Sequence, residues 1–115
     1  MIVTVTFAAA ASGRSYFEKF IRDLSLQDRA IILAVFQDIQ DYGFDAKGCE
    51  FRQIEGELWE IKIRAPAGGY RFFYVTVAAG HIHVLHSYKK QGRKAPIKEL
   101  EVARKRLKEV LIHEI

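Results

Sequence analysis

The chain has 115 residues, half of them hydrophobic and 28% charged, with only two prolines. That composition excludes a disordered tail, and the length suits one domain, residues 1–115, whose core needs no disulfide staples. The formal net charge is +4, and a single cysteine, Cys49, excludes an internal disulfide and points to a reducing compartment.

The positive charge is concentrated late, in Lys89, Lys90, Arg93, Lys94, Lys98, Arg104, Lys105, Arg106 and Lys108. A local field of that sign favours a polyanionic partner such as RNA, DNA or an acidic protein segment. The N-terminus has no basic leader, and Thr4 and Thr6 interrupt its apolar run. No stretch approaches the roughly 18 apolar residues of a membrane helix. A soluble cytoplasmic protein is the expectation.

In chain order, Val3, Val5 and Phe7 alternate with Thr4 and Thr6, which predicts a half-buried strand over Ile2 to Phe7. Ser15 followed by Glu18 reads as a helix start, with Phe17, Phe20, Ile21 and Leu24 at helical spacing. Ser25 with Asp28 repeats the signal, and Ile31, Ile32, Val35, Phe36, Ile39 and Tyr42 form a second stripe that ends at Gly43. The two helices form a hairpin whose apolar stripe needs the sheet downstream to cover it.

Phe44 to Gly48 reads as loop and Phe51 to Ile54 as a short strand. The strand from Leu58 places Trp59, Ile61 and Ile63 on one face and Leu58, Glu60, Lys62 and Arg64 on a polar, largely basic one. Tyr70 to Val77 is apolar on both faces, as a central strand is, and His81 to Tyr88 is the last strand, with Ile82 and Val84 on its core side. After Pro96, a final helix carries Ile97, Leu100, Ala103, Leu107, Val110 and Leu111 on one stripe and basic residues on the other. The expected fold is α+β: a small, mostly antiparallel sheet in the order β-α-α-β-β-β-β-α, packed against an N-terminal helical hairpin, with a C-terminal basic amphipathic helix.

The segments LWEIKIR, GGYRFFYV and HVLHSYKK, followed four residues later by AP and the amphipathic helix, resemble the RelE/ParE toxin superfamily, and within it the phage-derived HigB-like branch. The resemblance implies the toxin of a type II toxin–antitoxin module. Such a toxin cleaves messenger RNA in the ribosomal decoding site and is silenced by an antitoxin, often of helix–turn–helix type. It implies no cofactor. The sequence departs from the best-known branch in two ways: Glu60 stands where that branch has a lysine, and no tyrosine follows Tyr88.

Metal-free RNA cleavage uses the 2′-hydroxyl as internal nucleophile, so the protein must orient it, move protons and stabilise a phosphorane. Arg71 is the candidate for gripping the scissile phosphate, since its planar fork matches two phosphate oxygens and the resemblance gives that position the same role. Lys62 and Arg64 either add phosphate contacts or form a solvated strand face. His86 is the candidate acid or base, and Tyr88 stacks on a base or donates a proton. Alternatively both continue the buried face of Ile82 and Val84. Lys89, Lys90, Arg93 and Lys94 are read as tracking the RNA backbone.

Glu60 reads as an ion-paired surface acid and, less simply, as a general base. His81 and His83 share a face, but without neighbouring Cys, Asp or Glu they are not taken as metal ligands. Trp59 is placed in the core by its phase. Two rival functions remain open, a ParE-like gyrase inhibitor and a non-catalytic nucleic-acid-binding regulator.

Overall fold

The alternating start of the chain forms β1 (Thr4–Phe7), and the two helical stripes form α1 (Tyr16–Arg22) and α2 (Leu26–Tyr42). The computed structural model describes residues 2–93 and 96–113. Both helices begin where the hydroxyl signals place them. Ser15 Oγ accepts from the Glu18 N–H at 3.2 Å and Ser25 Oγ from the Asp28 N–H at 3.1 Å, each satisfying an orphan donor of a first turn. Arg29 fastens the hairpin by donating to the carbonyls of Ile21, Arg22 and Leu24 at and just beyond the end of α1. Gly43 caps α2 at φ +63°, a value glycine takes without steric cost. A 3-10 turn over Gly43–Asp45 occupies the start of the expected loop.

Strands β2 (Cys49–Glu55), β3 (Leu58–Ala65), β4 (Gly68–Ala78) and β5 (His81–Lys89) follow, then α3 (Ile97–His113). The sheet order is β1-β5-β4-β3-β2, antiparallel except where β1 runs parallel to β5. This is the α+β architecture read from the sequence, with β2 longer than expected.

The α1–α2 hairpin covers one sheet face. There Phe72, fully buried, meets Phe17, Phe20 and Phe36 at ring-centroid distances of 5.9, 6.2 and 5.2 Å. On the other face Leu100, Ala103, Leu107 and Val110 of α3 pack against Leu58, Phe73, Val75 and Leu85. Burying each large side chain of this kind contributes about 1.5–3 kcal/mol. Ile97 and Leu111, assigned to the same stripe by spacing, stay exposed, as does Tyr42, assigned to the apolar stripe of α2 but left at its solvent-facing C-terminal end.

Two expectations about faces are corrected. The side of β3 bearing Leu58, Glu60, Lys62 and Arg64 is not a solvated basic surface along its length, because α3 lies over its first half. Leu58 and Glu60 are 0% and 1% exposed, Lys62 is half-buried, and only Arg64 is exposed. On β5, the pairing steps from Phe73↔His86 to Tyr74↔Val84, leaving Leu85 as the extra residue of a bulge. Ile82 and Val84 therefore face the helical hairpin, while His86 and Tyr88 face α3. A count in steps of two cannot register such an insertion.

Candidate functional site

Side chains directly opposed on antiparallel strands project from the same face as near neighbours. The register lines up Glu50, Lys62, Arg71 and Tyr88 in one row across β2 to β5, and Arg52, Glu60, Phe73 and His86 in the adjacent row. Lys62, Arg71 and Tyr88, named separately from the sequence, thus stand side by side. Lys62 Nζ is paired with Glu50 at 3.2 Å.

Glu60 lies at the centre of this arrangement. Its Oε1 accepts from Arg71 Nη1 at 3.0 Å and from Arg52 Nη2 at 3.3 Å, and its Oε2 accepts from the Tyr88 hydroxyl at 3.4 Å. It is ion-paired as expected but buried, so its reading as a surface acid is corrected. The available signal was Leu58, an apolar residue two positions away on the same strand face. Burial, followed by the charge of Glu60, pushes the Tyr88 phenol up to about 12, so it remains protonated at neutral pH.

A cleft of about 300 Å³ at the open end of β3 and β4 is lined by Gly48, Glu50, Lys62, Arg64, Gly69 and Arg71. Arg71 also lines a smaller cavity of about 130 Å³ with Arg52, Glu60, Tyr88 and Lys90. Tyr88 and Lys90 in turn line a third, of about 330 Å³, with Lys89 and Lys98. The three depressions share residues in succession and place seven cations along one path. The stem of Lys89 crosses Gly68 so closely that a Cβ there would sit 2.9 Å from Lys89 Cε. The Lys90 N–H donates to the Gly69 carbonyl at 2.9 Å, tying the end of β5 to the β3–β4 turn. Arg93 is exposed in the next loop. Lys94 lies outside the described residues.

His86 stands one row away and does not line the cleft of Lys62 and Arg71. Its Nδ1 lies 3.3 Å from Arg106 Nη1 and its Nε2 lies 2.8 Å from Glu99 Oε1. Arginine only donates, so Nδ1 accepts and the neutral ring directs its Nε2–H at Glu99. Burial is the main cause that lowers the His86 pKa, Arg106 adds to it, and Glu99 opposes both. Arg106 also donates to the Leu85 carbonyl at 2.9 Å and lies 3.5 Å over the Tyr16 ring. It is therefore turned inward, a correction to its grouping with the outward basic residues of α3.

Other candidates fall into local roles. His81 Nε2 and His83 Nδ1 both hydrogen-bond Thr6 Oγ1, at 2.8 and 2.7 Å. Among the described residues no group of three or more His, Cys, Asp or Glu is arranged to hold a metal ion. Burial pushes the Cys49 thiol up to about 11. Trp59 is partly buried and lines an apolar groove with Phe44, Phe51 and Tyr74. No helix among the described residues is long and apolar enough to cross a membrane.

Residues 19–108 match the model of the family described as Phage derived protein Gp49-like (DUF891). The matched span runs from within α1 into α3 and includes both rows of the site. Comparison with the curated proteins gives no match.

Proposed function

The chain belongs to the Gp49-like family of phage-derived proteins, and we propose that it is the toxin of a type II toxin–antitoxin module, a ribosome-dependent messenger RNA endoribonuclease of the HigB-like branch of the RelE/ParE superfamily. The observation that carries this reading is the row of Lys62, Arg71 and Tyr88 beside a cationic cleft. In the proposed reaction the ribosome bends the message so that a 2′-hydroxyl attacks the adjacent phosphate, its proton passing to solvent water as the new oxygen–phosphorus bond forms and the bond to the 5′-oxygen breaks. Arg71 and Lys62 hold the phosphate and its developing charge. The protonated phenol of Tyr88 turns its O–H from Glu60 to the departing 5′-oxygen and gives up its proton, since that alkoxide is more basic than the phenolate left behind, which then regains a proton from solvent.

His86 enters this scheme as a positioning residue rather than a proton carrier, because both its ring nitrogens are engaged. It holds α3 on the sheet. Arg64, Lys89, Lys90, Arg93 and Lys94 supply backbone contacts. The cognate antitoxin, expected to be of helix–turn–helix type, covers the cationic path with an acidic segment in the cytoplasm. The ParE-like alternative, gyrase inhibition without RNA cleavage, is favoured by one observation: Arg71 Nη1 is already held by a buried carboxylate. Purified protein in a reconstituted translation reaction separates the two. The nuclease reading expects cleaved message only when ribosomes are translating, whereas intact message together with gyrase-trapped DNA breaks supports the rival.

A further inference from the structure

The proposed chemistry leaves the buried Glu60 carboxylate without a part. We infer that Glu60 is the positioning residue of the site, fixing how Arg71 presents its remaining guanidinium donors to an RNA phosphate and where the Tyr88 hydroxyl oxygen stands; the inference rests on the nuclease reading for its substrate. At 1% exposure Glu60 cannot touch RNA itself. It reaches from β3 to three other strands, with one oxygen shared by Arg52 and Arg71 and the other accepting from Tyr88. An unrestrained arginine side chain loses rotamer entropy when it grips a phosphate, and a bond to a rigid acceptor takes part of that loss before substrate arrives. Donors already oriented stabilise developing charge without reorganising during the reaction.

The charge balance points the same way. Lys62 and Arg71 are directly opposed cations, an arrangement unfavourable in a bare sheet. Glu60 against Arg52 and Arg71, with Glu50 against Lys62, relieves that repulsion yet leaves three cations against two carboxylates, so the attraction for phosphate survives. A brace that served stability alone would not need this chemistry, since apolar side chains of similar volume commonly hold a buried position as well as an ion pair does.

The test uses full-length protein carrying Glu60→Gln, which keeps the shape, and Glu60→Asp, which keeps the charge but shortens the reach. Two readouts are taken: message cleavage in the translation reaction, and the nitrogen resonances of the Arg71 side chain. Expected for Glu60→Gln are a kcat lower by about 100-fold, a KM changed by less than about threefold, and averaging of Arg71 resonances that are separate in the wild type. Arg71→Lys, costly in the wild type, should cost little more in that background. Should Glu60→Gln fail to fold, Glu60→Asp carries the same comparison. Wild-type cleavage rates in both variants, or Arg71 resonances that do not change, overturn the assignment. If the wild type itself leaves message intact, the nuclease reading fails, and the Arg71 resonances still decide whether Glu60 orients it.

Discussion

Arg71 and Tyr88 stand opposite each other on β4 and β5 and donate to the two oxygens of the same buried carboxylate. Removing the arginine therefore takes away both a phosphate ligand and a partner of Glu60. Arg71→Ala is expected to relieve growth arrest on induced expression and to lower cleavage by about 10²–10³-fold. Its loss of folding stability should be about 1–3 kcal/mol, with Arg52 and Tyr88 still bonded to Glu60. Urea unfolding beside the growth assay separates the two effects.

Tyr70, the neighbour of Arg71 on the helical-hairpin side, donates to Asp28 Oδ2 at 2.6 Å, and Asp28 is 1% exposed. This bond joins β4 to the first turn of α2. Tyr70→Phe leaves the carboxylate buried without that donor and is expected to destabilise the fold by about 1–3 kcal/mol. The midpoint of chemical denaturation should fall with an unchanged slope. An unshifted midpoint would count against the bond.

The His86 environment gives stability an acid dependence. Burial holds its pKa below the ordinary 6.5, so the unfolded chain binds the proton more readily than the folded one. The neutral ring's contribution is complete above pH 6.5 and is lost as pH falls from there through the lowered folded value. His86→Gln should flatten that part of the stability profile. Unfolding free energies between pH 7.5 and 5 for both proteins check it, and identical slopes would contradict it.

At the alkaline end the sign reverses. Burial pushes Tyr70 and Tyr88 up to about 12, and it raises Tyr74 as well. Each folded phenol keeps its proton longer than the unfolded one, whose value is about 10. Their contribution is complete below pH 10 and is lost as pH rises toward 12. Difference absorbance titration against the Tyr70→Phe, Tyr74→Phe and Tyr88→Phe proteins should place each of these phenolates well above pH 10 in folded protein. Ionisation of the three near pH 10 in folded protein would contradict the packing.

Local signals in the sequence proved readable because their physics is local. Ser15 and Ser25 cap the helices they predict, and the strands expected from Leu58, over Tyr70 to Val77 and over His81 to Tyr88 all form. What the sequence hid depends on distant segments. Glu60 looks solvated from its strand alone, and its burial follows from where α3 returns, about forty residues later in the chain. The faces of His86 and Tyr88 were hidden by the bulge at Leu85, which leaves the alternation of residue types intact while reversing its direction. Lys62, Arg71 and Tyr88 could be named by residue type, but only the strand register makes them adjacent.

The claim on which the account turns is that this row performs 2′-hydroxyl attack on ribosome-bound message. The most direct measurement is the chemical identity of RNA ends produced in the translation reaction by wild type and Arg71→Ala. New 5′-hydroxyl and 2′,3′-cyclic phosphate ends with wild type, absent with Arg71→Ala and absent without translation, are the predicted result. Ends bearing 5′-phosphate, or the same ends from the Arg71→Ala protein, would contradict it.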